Sequence, residues 1–183
     1  DGYELVQKME DHASSTGVEL RDGEVIDVLR QKHCFDLLIN DGVHLLSKNI
    51  CFALGATHRR LGLPKEKELT GKGISYCTTC DAPLYKGKEI VIVGGGDSSI
   101  KGANLAGEYV SKLYMLVKGD KITAEPVNWE RFDKNLLKTG KAEALYGVEV
   151  KEILGEAKFE GVRLSKPYKG SDVLKVGGLF VQI

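Results

Sequence analysis

The strongest constraint on this chain is Glu89–Val93 (EIVIV) running into Gly94-Gly95-Gly96. Five residues with only the first polar read as a strand buried on both faces. The glycines end it, and helical spacing over 99–110 follows, then a second strand at Lys112–Val117. A strand, a crossover helix and another strand make a βαβ unit, which commits the chain to a parallel sheet flanked by other layers. The fold class expected is therefore α/β. A further helix is expected beyond it, with Thr123 as candidate cap and Pro126 in the first turn. Trp129, Phe132 and Leu136 give that helix an apolar stripe directed at a core. Strand-like pieces follow at 148–154, 160–164, 173–176 and 179–183.

The region before residue 70 has a different character. Val6, Met9 and Ala13 predict a helix over 5–16, with Gly17 as its stop. Strands are expected at Val25–Arg30, 34–39 and 43–46, the last two joined by a hairpin at Asn40-Asp41-Gly42. Residues 49–54 (NICFAL) read as a buried strand ending at Gly55. These pieces bury little by themselves, so a unit made of them is marginal. The division expected is 1–68 and 69–183, two small domains in 183 residues.

Composition enters as a filter. At 42% hydrophobic the chain has enough apolar matter for a core, which excludes disorder. Lys and Arg number 26 and Asp and Glu 26, so no excess of positive charge exists for a nucleic-acid partner. No apolar run reaches the ~18 residues of a membrane-spanning helix, and no membrane partner is expected. No basic-then-apolar segment opens the chain either. Its start at Asp1 and its stop after an apolar run predict a piece of a longer protein. Four cysteines are too few for a disulfide scaffold. Cys34 and Cys51, in apolar runs, are expected to be small buried hydrophobes.

The glycine turn carries the first chemistry. Gly94 permits the tight turn, Gly96 admits a close backbone approach, and the helix start at Asp97, Ser98 and Ser99 offers free N–H groups. That combination suits a dinucleotide pyrophosphate; the alternative is an ordinary glycine-rich turn. The second strand ends near Val117, where charge chooses between NAD and NADP. Lys118 and Lys121 stand there, as weak 2′-phosphate clamps or as a solvated loop.

Cys77-Thr-Thr-Cys80-Asp81 carries the second. Two thiols at this spacing can close a reducible disulfide, each serving as leaving group for the other. The Asp81 carboxylate beside them could move a proton. Half of a zinc site and an inert pair are the competing readings. Zinc wants four ligands, and no second CxxC or His pair follows; the four histidines are scattered. Nicotinamides deliver hydrides and disulfides take electron pairs, so a flavin is the expected intermediary.

These segments together resemble the low-molecular-weight thioredoxin reductases. The likeness runs through 53–57 (ALGAT), 61–64 (LGLP), 71–81 (GKGISYCTTCD), 91–96 (VIVGGG) and 177–181 (GGLFV). It implies a Rossmann-like three-layer NAD(P)-binding domain with the redox CxxC at 69–183, plus an incomplete part of a FAD-binding domain at 1–68. It implies that Cys80 faces the flavin, Cys77 attacks the disulfide of thioredoxin, and Asp81 is the acid/base. Gly94, Gly96, Asp97, Ser98 and Ser99 would line the pyrophosphate, and Gly55, in the ATG-type strand, would be a cofactor-binding position. No metal ligand is implied.

Three departures stand out. The family's N-terminal flavin GxGxxG and C-terminal Gly-Asp segment are absent, as in an internal fragment. Members that use NADPH carry His-Arg-Arg and a later Arg after the second strand; here Val117, Lys118, Gly119 and Thr123 align with them. The donor is thus expected to be NADPH or NADH, with NADPH favoured less than about 100-fold or activity weak with both. Lys101 and Gly102 replace acidic residues of the first helix. The function expected is thioredoxin-disulfide reductase with FAD in the full-length protein, a cytoplasmic homodimer. The alternatives are the flavoprotein subunit of an alkyl hydroperoxide reductase and a non-catalytic redox-sensing module.

Overall fold

A computed structural model describes residues 1–183, which divide into two compact units at 1–55 and 56–183. The first begins with α1 (Gly2–Ser15), whose opening turn is capped by Asp1, the Glu4 N–H donating to its carboxylate at 2.9 Å. Gly17, at φ 82°, follows its end as expected. Then come β1 (Val25–Arg30), β2 (Phe35–Ile39) and β3 (His44–Ser47), an antiparallel meander in that order. The Asn40-Asp41-Gly42 turn joins β2 to β3 with Gly42 at φ 81°, a conformation glycine adopts freely. No α1 residue is buried, and Ile39 is the unit's one buried apolar side chain.

Residues 49–54 correct the expectation. They form no strand, and Phe52 and Leu54 are exposed. An apolar run becomes a buried strand only where a neighbour takes its backbone hydrogen bonds, and none of the three sheets pairs with it. Cys51 is exposed and Cys34 half-buried, so neither is the buried hydrophobe expected.

The second unit starts earlier than the expected 68/69 division. Leu61 and Leu63 already pack on its core, and α2 (Glu66–Leu69) buries Glu66 and Leu69. The Glu66 carboxylate accepts from the N–H groups of Leu61, Gly62 and Leu63 and from the Tyr76 hydroxyl at 2.7 Å, tying 61–63 down.

Next come β4 (Ile74–Ser75), α3 (Thr78–Asp81), β5 (Glu89–Val93), α4 (Asp97–Ala106), β6 (Lys112–Val117) and α5 (Pro126–Phe132), which runs on into a π turn at Asp133–Leu137. Then follow β7 (Ala142–Tyr146), β8 (Val150–Leu154), β9 (Gly161–Tyr168), β10 (Ser171–Leu174) and β11 (Gly178–Val181). The cap of α5 is Glu125, without a side-chain bond. Thr123 instead donates its N–H to the Gly95 carbonyl at 2.7 Å.

The parallel sheet has the order β4-β11-β5-β6-β7. Alternation along β5 builds three layers. Ile90 and Ile92 face α4 and α5, packing with Ile100, Ala103 and Phe132. Val91 and Val93 face the antiparallel meander β8-β9-β10, packing with Ile153 and Val162. The fold is the α/β, Rossmann-like arrangement expected. No helix is long and apolar enough to cross a membrane.

Candidate dinucleotide and disulfide site

Strand order reverses between β5 and β11: the chain leaves β5 toward β6 and β7, then returns through the meander to β11 on the other side. Ligands of open α/β sheets bind at the carboxyl ends of strands at such a point. Here Gly94 follows β5 at φ 142°, and a Cβ on it would collide with the carbonyl oxygen of Gln182. A Cβ on Gly95 would come within 2.7 Å of Val117 Cγ1, whereas nothing lies within 4 Å of one on Gly96. The first two glycines let strands and turn close up, and the third leaves room above the turn.

That room belongs to a cleft of about 940 Å³ lined by Gly94, Gly95, Gly96, Asp97 and Ser98, with Lys118 and Lys121 at the β6 end. Gly96 caps α4 without a side-chain bond, so no side chain competes for the first N–H groups of the helix. The Asp97 carboxylate accepts from the Glu125 N–H and from Asn128 Nδ2 and pairs with Lys101 at 2.6 Å. Lys101, then Asn128, hold it below the usual carboxylate range. Ser99 is fully buried and donates its hydroxyl to the Gly96 carbonyl at 2.7 Å, shaping the turn from beneath. A glycine cradle, open helix N–H groups and nearby lysines fit a dinucleotide pyrophosphate.

Sequence reasoning missed several wall residues. Thr57, His58, Arg59 and Arg60 line the cleft, as do Glu149 and Gln182. The absence of arginine after β6 therefore does not leave the cleft without arginine. The signal was the run His58-Arg59-Arg60 just ahead of Leu61. The His58 ring stacks on Tyr76 at 5.7 Å, and Gln182 Nε2 donates to the Tyr76 carbonyl at 2.7 Å. This group thus stands on the β4–β11 side of the turn, opposite Lys118 and Lys121.

Cys77 and Cys80 are joined in a disulfide, which replaces the zinc half-site reading. Cys77 caps α3, and the Cys80 N–H points at its Sγ at 3.2 Å. Cys80 is exposed; Cys77 and Asp81 are half-buried. A Cβ on Gly102 would stand 2.8 Å from Thr78 Oγ1, so glycine there is what lets α3 lie on α4. The helix that opens at the glycine turn is therefore the one that seats the disulfide turn. Gly55 ends the first unit, exposed, at φ 68°.

Fold and site together define a class: a three-layer, Rossmann-like domain with a glycine cleft at its sheet end and a CxxC disulfide. The chain belongs to the family described as pyridine nucleotide-disulphide oxidoreductase, whose model matches residues 3–183. It is 34% identical to thioredoxin reductase of Bacillus subtilis over 185 aligned positions, covering 100% of this chain and 57% of that protein. Thioredoxin reductase of Listeria monocytogenes is 31% identical, with 100% and 56% covered. The crystal structure of Lactococcus lactis thioredoxin reductase superposes with a TM-score of 0.70 at 29% identity, over 100% of this chain and 59% of that one. The chain thus spans little more than half the length of these relatives.

Proposed function

We propose that this chain is the nicotinamide-binding and disulfide-bearing part of a thioredoxin-disulfide reductase. The observation that carries the reading is the seating of the Cys77–Cys80 turn on α4, the helix that opens at the glycine cleft. Gly94, Gly96, Asp97, Ser98 and Ser99 form the proposed pyrophosphate turn, with Lys118 and Lys121 toward the adenosine end. The donor is NADPH or NADH. The names of the relatives favour this over an alkyl hydroperoxide reductase subunit or a sensing module.

In the dithiol form, the Cys77 thiolate attacks one sulfur of the thioredoxin disulfide. A Cys77–thioredoxin S–S bond forms, the thioredoxin S–S bond breaks, and the freed thiolate takes a proton that Asp81, in this proposal, has received from the Cys80 thiol. The Cys80 thiolate then attacks Cys77 Sγ, closing the Cys77–Cys80 disulfide and releasing the second thioredoxin sulfur as a thiolate, which takes up from solvent the proton that Cys77 gave up on ionising. Two electrons and two protons pass to thioredoxin, and the dithiol is oxidised. The Cys80 N–H aimed at Cys77 Sγ favours charge on the attacking sulfur.

FAD is the proposed go-between from nicotinamide to disulfide, because it accepts a hydride and gives up an electron pair. Residues 1–55 do not by themselves fit its pyrophosphate, since their one helix, α1, opens on the Asp1 carboxylate. In the proposal 1–68 is part of a flavin-binding domain in which Gly55 neighbours the flavin, and 69–183 is the nicotinamide domain. The whole protein is proposed to be a cytoplasmic homodimer.

Trapping tests the reading. Reduced Cys80→Ser should accumulate a covalent complex with thioredoxin, seen on a non-reducing gel, and Cys77→Ser should not. No complex from Cys80→Ser would overturn the assigned roles.

A further inference from the structure

The second strand of a dinucleotide-binding unit ends beside the adenosine ribose, where an acidic residue binds a free 2′-hydroxyl and a cation takes a 2′-phosphate. After β6 the chain offers Lys118, which by itself points to the phosphate. Yet Lys118 Nζ lies 3.0 Å from Oε1 of Glu149, a wall residue of the same cleft. Glu149 arrives from a different element, the connection between β7 and β8. The Gly147 N–H donates to the Gly119 carbonyl at 2.9 Å and the Val148 N–H to the Val117 carbonyl at 3.3 Å, laying that connection along the end of β6. Glu149 itself is pinned on both sides of its Cα. Its N–H donates to Ser165 Oγ at 2.9 Å, and its carbonyl accepts from the Ser165 N–H at 2.8 Å.

We propose that Glu149 is a specificity residue that turns the cleft toward the unphosphorylated dinucleotide, NADH, by standing where a 2′-phosphate would lie and occupying Lys118. The proposal rests on the reading that this cleft binds a nicotinamide dinucleotide. The two members of the pair are not equally free. The Lys118 side chain is 83% exposed, on a long flexible stem, and an exposed pair of this kind holds weakly. Lys118 can leave; Glu149, 41% exposed and on a pinned main chain, stays at the cleft wall. A phosphate monoester carries about −1.5 to −2 charges near neutral pH, so it meets repulsion, whereas a 2′-hydroxyl can donate to the same oxygens. Lys151 reaches Glu149 at 3.7 Å and neutralises it little. Lys121 also lines the cleft, as do Arg59 and Arg60, with Arg60 near Tyr76.

The test is equilibrium titration of the 183-residue chain with NADH and NADPH, read by nucleotide fluorescence, which needs neither flavin nor turnover. Wild type is expected to bind NADH at least as tightly as NADPH. Glu149→Gln, which keeps the shape and removes the charge, should tighten NADPH about tenfold, or about 1.4 kcal/mol, and leave NADH within about threefold. Adding Lys118→Ala to that variant should undo the gain, because the freed lysine becomes the partner of the phosphate. A ratio of the two affinities that does not move in Glu149→Gln overturns the role of Glu149 and leaves the dinucleotide cleft standing. Binding of neither nucleotide, in wild type and variant alike, overturns the dinucleotide reading and the proposal with it.

Discussion

Residues 1–55 and 56–183 share an alphabet of strands, glycine turns and apolar side chains, and they use it to opposite effect. The first unit buries one apolar residue, Ile39, and leaves Val6, Met9, Leu29 and Leu46 exposed. The second buries both faces of its sheet, one under helices and one under a meander. Apolar content does not separate the two units; layering does. A sheet gains stability when another layer covers it, and a lone three-stranded meander without cover is marginal.

Proteolysis of the intact chain is the strongest way to break this comparison. Cleavage within 1–55 should outpace cleavage within β5, β6 and β11 by more than about a thousandfold, since local opening there costs close to nothing against several kcal/mol in a packed core. Mass spectrometry of the timed digest reads it, and equal rates would sink the distinction. Single truncations sharpen it. Phe180→Ala should cost about 3–5 kcal/mol in denaturant unfolding, because the side chain is fully buried between β11 and the helix layer. Leu46→Ala, 69% exposed, should cost less than about 0.5 kcal/mol. Comparable losses would mean the first unit has a core after all.

Glu66 probes the first residues of the second unit. Glu66→Ala strands three backbone N–H groups and the Tyr76 hydroxyl, and about 2–4 kcal/mol should be lost, with faster hydrogen exchange at Leu61–Leu63. Unchanged exchange there would show that 61–63 does not depend on the clamp. The smallest effect is a pH dependence confined to the second unit. Lys112 first, then Tyr168, hold the Glu143 carboxyl down at about 2. Its folded value lies below the unfolded one, so the stability it adds is present above about pH 4.3 and is lost as pH falls toward 2. Glu143→Gln should cost about 1 kcal/mol at pH 7 and nearly nothing at pH 2, by urea unfolding at both. An equal cost at both pH values would assign its role to shape instead of charge.

Legibility followed the same division. β5 and β6 were readable to the residue, because strands buried on both faces are continuous apolar runs and the glycines punctuate them. The Asn40-Asp41-Gly42 hairpin was readable for a local reason, its turn chemistry. NICFAL misled because the same apolar signal marks a strand only when a neighbouring strand exists, and a window of six residues does not contain that neighbour. β7 was invisible: Ala142, Glu143 and Ala144 are weak strand formers, held in place by β6. At the site, the glycine turn and the CxxC are contiguous and were legible. Arg59, Arg60 and Glu149 reach the cleft from segments far along the chain, and only the strand order brings them there.

The order of the sheet also sets the order in which it can be assembled. β11, latest of the strands, slots between β4 and β5, among the earliest of this unit. β5, β6 and β7 can pair as each is synthesised, with only a helix between them. β4 has no other strand beside it, so it waits, its edge open, until β11 has been made and the long loop through the meander has closed. The Gly94–Gln182 approach is completed by that same event. The cleft at the glycine turn is therefore finished only then, and a nascent chain stalled before Gly178 would carry its glycine turn with one wall missing.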